Sequence, residues 1–221
     1  MSFTSVQSVV IDVPCEVCFN LLSDTALFVE FMGLSAITSD VRITSTDTVL
    51  LSASLQVVEL ESRTVNHESY ETCSRIKFEL TENVVYLGIA KEVLVAGDLV
   101  MSSAQKLHVE HREANAGLVV TDKIRRFHAV TGAHSRESDP AKVSEVSKVR
   151  AKQPSDEQQL DTAKPDVDAE KTPRMMTEIV EEITGSTSWY LQFFVAMEAR
   201  SSHEQIVQLY PDYLARHLTV T

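Results

Sequence analysis

The sequence predicts an α+β fold, with a curved antiparallel sheet of about six to seven strands around a long C-terminal helix and two short helices after the first strand. Three observations carry this expectation. Hydrophobicity repeats every second residue over much of positions 37–130, and helical spacing is confined to two short early segments and one long late one. That late segment is apolar nearly all round at its beginning, so other structure must enclose it there. Strands in a run, with helices set apart at the ends, give an antiparallel sheet rather than alternating βαβ units.

The opening strand places Val9, Ile11 and Val13 on one face and Ser8 and Asp12 on the other. Pro14 ends it and suits the first turn of a helix, whose stripe is Val17, Phe19, Leu21 and Leu22. Ser23-Asp24 closes that helix or caps the next, Leu27 to Met32, which stops at Gly33. Period-two alternation then begins. Val49, Leu51, Ala53, Leu55 and Val57 share one strand face, and Ile76, Phe78 and Leu80 alternate with Arg75, Lys77 and Glu79. The apolar run Val84 to Gly97 is less regular and its structure stays open. Two further strands are expected, Leu99 to His111 and Leu118 to Ala129, joined by a turn at Asn115-Ala116-Gly117.

Residues 131–173 hold four of the six prolines, no aromatic residue and mixed charges, and are expected to form a disordered or loosely helical insertion in one domain spanning 1–221. A strand resumes after Arg174, with Thr177, Ile179, Glu181 and Ile183 on one face, and ends at Gly185. It is expected to pair with the strand before the insertion, since loop tips tolerate extra length at little entropic cost. The last helix is expected from Ser188 to Leu209, with Ile206, Val207 and Tyr210 set against His203, Glu204 and Gln208, and Pro211 as its end.

Composition narrows the partners. The 221 residues are 43% hydrophobic, enough for a substantial core, and carry a net charge of −12. That charge disfavours nucleic acid and anionic lipid surfaces and leaves neutral small molecules or a basic protein partner. The first residues lack the pattern of a secretory signal, and no stretch approaches the ~18 apolar residues of an integral membrane segment. Three cysteines without a signal peptide suggest free thiols and a cytoplasmic location.

The strand-to-helix opening Ile11-Asp12-Val13-Pro14-Cys15-Glu16-Val17-Cys18-Phe19-Asn20-Leu21-Leu22-Ser23-Asp24, the strand Phe78-Glu79-Leu80, and Val180-Glu181-Glu182-Ile183-Thr184-Gly185 with Trp189 leading into the last helix are similar to the START/SRPBCC superfamily. Within it they look like the polyketide-cyclase/dehydrase-like branch. The resemblance covers residues 3–130 and 174–210 and implies the helix-grip (Bet v 1-like) fold, with a pocket closed by the last helix. Members bind lipids, sterols, polyketides or plant hormones, and some are enzymes, so fold alone does not choose a function.

Several local constellations invite chemistry. Cys15-Glu16-Val17-Cys18 is a CxxC at a helix start, where a helix dipole lowers a thiol pKa, but no βαβ pattern follows and small residues opening a helix are the plainer reading. Cys73 adds at most one further zinc ligand, so no metal or cofactor is expected. His108 and His111 lie three apart on a strand and face opposite ways; His111 shares the face of Leu107 and Val109 and is expected to look into the cavity. Parity groups Asp122, Arg126 and His128 against Arg125. Arg126 either pairs with Glu178, Glu181 or Glu182 in solvent or, if buried, binds a ligand oxygen. On the last helix Tyr190, Phe193, Phe194 and Met197 are either plain core or cavity lining, and the resemblance favours lining.

The expected function is non-catalytic binding or carriage of an apolar small molecule, lipid or polyketide-like. Phe78, Leu80, His111, Arg126, Tyr190, Phe194 and Met197 are the expected ligand-binding residues, affinity coming from burial of apolar area and orientation from one or two polar groups. One alternative is a cyclase or dehydratase with His111 as general base and Arg126 or Tyr190 steadying an enolate. Another is a protein-interaction module acting through 131–173.

Overall fold

The structure, a computed structural model, describes residues 2–62, 69–86, 89–114, 117–131, 174–188 and 192–218. The chain divides into one unit of Met1–Val130 with Met175–Thr221 and a second of Thr131–Arg174. The elements that follow belong to the first; the expected insertion at 131–173 lies outside the described residues except for Thr131.

Among the described residues the order is β1 (Ser2–Ile11), α1 (Cys15–Ser23), α2 (Thr25–Gly33), β2 (Thr38–Ser52), β3 (Val57–Glu59), β4 (Tyr70–Tyr86), β5 (Ile89–Ser102), β6 (Leu107–Ala114), β7 (Val119–Thr131), β8 (Met175–Thr187) and α3 (Gln192–Leu218). The strands form one antiparallel sheet in the order β1-β8-β7-β6-β5-β4-β2-β3, so β8 does lie beside β7. This is an α+β architecture with a C-terminal helix.

Local chemistry explains most boundaries. Asp24 caps α2 by accepting from the amides of Ala26 at 2.9 Å and Leu27 at 3.0 Å. Cys18, Phe19 and Leu22 of α1 and Phe31 of α2 join Ile11, Phe127, Ile179, Val207, Tyr210, Tyr213 and Leu214 in one core cluster. Phe28 and Met32 of α2 pack instead on Ile76, Phe78, Leu80, Val95 and Leu99. The helices thus share one face of the sheet, the inner face. A smaller cluster, Val49, Leu51, Cys73, Val100 and Leu107, lies on the outer face.

Two expected strands prove to be interrupted. The alternation through Val57 crosses a turn after Ser52, where the Ser52 hydroxyl accepts from the Gln56 amide at 3.0 Å and Leu55 takes a φ of 63°. β3 then folds back on Val49–Leu51. The expected strand Leu99 to His111 breaks in the same way: Ser102 accepts from the Gln105 amide at 3.1 Å, and Lys106 takes a φ of 50°. A hydroxyl bonded to an amide three or four residues on makes a turn without glycine or proline. The undecided run Val84 to Gly97 belongs to a long β4–β5 hairpin with unbroken register from Ser74↔Met101 to Tyr86↔Ile89.

α3 also departs from expectation. Pro211 lies inside it, although its ring removes one backbone donor. Packing compensates: Tyr213 and Leu214 beyond the proline are fully buried, the Tyr213 hydroxyl donates to Leu27 O at 2.8 Å, and Phe31 stacks on Tyr210 with centroids 4.7 Å apart. His203, expected on the polar face, is buried in line with Val207, Tyr210 and Leu214 at helical spacing.

Candidate functional site

The inner face of β6, β7 and β8 carries charge where a core normally carries hydrocarbon. His108 and Glu110 of β6, Lys123 and Arg125 of β7, and Glu181 of β8 are all buried. The register sets Glu110 opposite Lys123 and His108 opposite Arg125. Isolated charges do not survive such burial, so each must be compensated.

Glu181 is the centre of the first group. Its Oε1 accepts from Arg125 Nε and from the Tyr210 hydroxyl, the latter at 2.5 Å. Its Oε2 lies 3.2 Å from His203 Nε2, out of line for a hydrogen bond, so both atoms are buried without a hydrogen-bond partner. His203 Nδ1 is 3.1 Å from the Ser5 hydroxyl of β1. Burial pushes the Glu181 pKa up, but Arg125, Lys123, His203 and Tyr210 together hold it well below the ordinary carboxyl range.

His108 next to Ser23 looks at first like a nucleophile and its base. The bond directions exclude that. Arg125 can only donate, so the contact of its Nη1 with His108 Nδ1, at 3.1 Å, makes Nδ1 the acceptor. Nε2 then carries the proton and donates to Ser23 Oγ at 2.8 Å. Burial first, and Arg125 second, drive the His108 pKa well below its usual value, leaving a neutral ring between Phe19 and Phe127 with centroids 5.2 and 5.0 Å away.

The second group surrounds Glu110. Arg112 Nε donates to its Oε1, and Lys123 Nζ lies 2.9 Å from its Oε2, poorly aligned, so that Oε2 is buried without a hydrogen bond. Burial raises the Glu110 pKa, and Arg112, Lys123 and Arg125 outweigh it and hold it at about 2. Arg112 continues to the apolar wall: its Nη2 meets Met32 Sδ at 3.5 Å and its guanidinium lies 5.9 Å from the Phe78 ring centre. Phe78 in turn lies over Gly97, where an added Cβ would collide with the end of the ring.

The residues expected from sequence are thus dispersed. Phe78 and Leu80 are buried in the inner wall. His111 is on the outer face, 2.7 Å from Asp122 and 3.3 Å from Glu113 with its side chain 42% exposed, which corrects its expected place in the cavity. Arg126 is also outside, 38% exposed and 3.9 Å from Glu182, while the interior position belongs to Arg125. Met197 is 53% exposed on α3, not lining. Tyr190, and the side chains of Phe193 and Phe194, lie outside the described residues. A signal for the correct face was present. Phe127 shares parity with Lys123 and Arg125, and the aromatic member marks the buried side.

The surroundings of the CxxC thiols work against a reactive pair. Burial raises the Cys18 pKa to about 12, and burial with Glu16 also raises Cys15, whose thiol donates to Phe127 O at 3.5 Å. All three cysteines are free. A cleft of about 440 Å³ lies between Leu34–Ala36 and the stretch Ser202–Leu209 of α3, and one of about 220 Å³ lies beside Tyr70, Glu71 and Gln105. Neither is lined by the charged band.

No family model matches the chain, and no curated protein matches it. In fold the chain is similar to the solved structure of TTHA0849 from Thermus thermophilus, with a TM-score of 0.52 at 10% identity over 97% of this chain and 99% of that one. At that identity the likeness concerns fold alone.

Proposed function

We propose that this is a helix-grip domain of the START/SRPBCC type that binds or carries a hydrophobic small molecule, lipid or polyketide-like, in an internal cavity on the inner face of the sheet without transforming it. Glu110 carries the reading. Its Oε2 is a buried acceptor whose nearest donor, Lys123 Nζ at 2.9 Å, is not aligned with it, and it neighbours a wall of Phe78, Leu80, Met32 and Leu99. A mainly apolar ligand with one hydroxyl or amide would bury its body against that wall and donate to Glu110. Catalysis is not favoured: both nitrogens of His108 are engaged in a neutral ring, and His111 faces away from the helices.

The test is native mass spectrometry of freshly purified protein, with extraction and identification of any small molecule that accompanies it. A stoichiometric mass excess from an apolar compound is expected, and added compound should change Trp189 fluorescence. Protein that is empty in every preparation, and silent in fluorescence towards a panel of lipids and aromatic polyketides, would overturn the proposal.

A further inference from the structure

The sheet has two edges, and they are guarded differently. β3, at one edge, is three residues long and ends in Glu59, and a short charged strand resists adding a neighbour. β1, at the other edge, is ten residues long and pairs with β8 without a register shift from Ser2↔Ser186 to Ile11↔Thr177. Its other side has no strand beside it among the described residues. Of the eight strands described, β1 alone carries no charged residue, and it has no proline. Charge, proline, a bulge and short length are the usual means of blunting an edge. β1 uses none of them.

Its two faces differ. Phe3, Ser5 and Ile11 are buried on the inner face, where His203 of α3 meets Ser5. On the outer face Thr4, Val6, Ser8 and Val10 are exposed, Val6 at 58% and Val10 at 52%. An edge strand offers backbone donors and acceptors to any extended chain, so the side chains decide which chain fits. Here they are self-complementary. A two-fold axis through Ser8, perpendicular to the sheet, sets Val6 against Val10 of a second copy and Val10 against its Val6. An axis through Val6 would make one outer valine pair instead of two.

We propose that β1 is an interaction surface for a second copy of this chain, pairing antiparallel with its counterpart about Ser8 to continue the sheet across a two-fold axis. The symmetric placing of Val6 and Val10 favours the same strand over a foreign peptide. Charge favours it too, since two copies of a chain with net charge −12 meet along β1 without setting like charges opposite each other. β-branched side chains directly opposite each other stabilise an antiparallel pair. One strand pair is a small contact, of the size that gives a reversible dimer set by concentration. The proposal stands independently of any ligand in the interior.

The experiment is disulfide trapping in the full chain. Directly opposite residues of an antiparallel pair have Cα atoms about 4.5–5.5 Å apart, within the range of about 4.4–6.8 Å that a disulfide spans. Ser8→Cys is therefore expected to form a reducible covalent dimer under mild oxidation. Thr4→Cys, also exposed, would lie about 27 Å from its own counterpart, eight residues along the pair, and should stay monomeric. In sedimentation velocity the parent should self-associate as its concentration rises. V6K/V10K sets lysine against lysine across the axis, while each lysine lies opposite Glu182 or Glu178 in its own chain. Its dissociation constant should rise at least tenfold with an unchanged melting curve. V85E, which alters an exposed valine of β4, should associate as the parent does and serves as the control. Ser8→Cys that cross-links no better than Thr4→Cys, a parent that sediments as a monomer at every concentration, or unchanged association of V6K/V10K would each overturn the proposal.

Discussion

The Tyr210 hydroxyl donates to Glu181 Oε1 at 2.5 Å, and so ties α3 to β8 through the oxygen that also holds Arg125. Hydrogen bonds to charged groups contribute about 1.5–3 kcal/mol, so Tyr210→Phe is expected to lower stability in urea by that amount. Glu181→Leu should do more harm, about 3–5 kcal/mol, because it strands a buried guanidinium. Combining it with Arg125→Met should recover much of the loss. A double variant no more stable than Glu181→Leu would show that the ion pair is not what the second substitution relieves.

Stability should fall in acid. Glu181 and Glu110 both have folded pKa values below the ordinary carboxyl value, so the unfolded chain binds protons first as pH drops. Their contribution is complete above about pH 5 and is lost on descent through the unfolded value towards the folded one. For Glu110, from 4.5 to about 2, this is on the order of 3 kcal/mol. Urea midpoints measured from pH 7 to pH 3 should decline mainly below pH 5, and less steeply in the Glu181→Leu/Arg125→Met protein.

Gly97→Ala tests the wall. Its new methyl would run into Phe78 Cζ and would stand 2.9 Å from His111 O, one contact with a ring end and one with backbone. A loss of about 1–3 kcal/mol is expected. Adding Phe78→Leu should relieve only part of it, since the carbonyl remains. Full recovery would place the whole conflict at the ring.

The thiols should be slow. With the Cys18 and Cys73 pKa values raised to about 12 and about 11, little thiolate exists at neutral pH. Ellman's reagent at pH 7.5 should react with less than one thiol per chain within minutes and with three after unfolding in urea. A fast reaction at Cys18 in the folded protein would reopen a redox role.

The architecture was legible where periodicity and capping agree. Asp24 announces α2, and Ile76, Phe78 and Leu80 announce the inner face of β4. Two turns escaped because Ser52 and Ser102 build them with hydroxyl bonds rather than with glycine or proline. Pro211 misled because local backbone preference was weighed without the burial of Tyr213 and Leu214 beyond it. The site was the least legible part. On β6 and β7 the alternation is right, but charged residues occupy the inner face, so the usual assumption that charge points outward chose His111 and Arg126 over His108 and Arg125. Only contacts with α3 and β8, far away in sequence, reveal the choice.

The pairing of β1 with β8 in the register Ser2↔Ser186 to Ile11↔Thr177 sets a timetable for biosynthesis. A ribosome adding about 5–20 residues per second leaves the first strand waiting roughly ten to forty seconds for its neighbour. Throughout that interval Phe3, Val9 and Ile11 have no mate. Nascent chains stalled before Met175 should therefore be captured by a chaperone such as trigger factor, and released once the final strand has emerged.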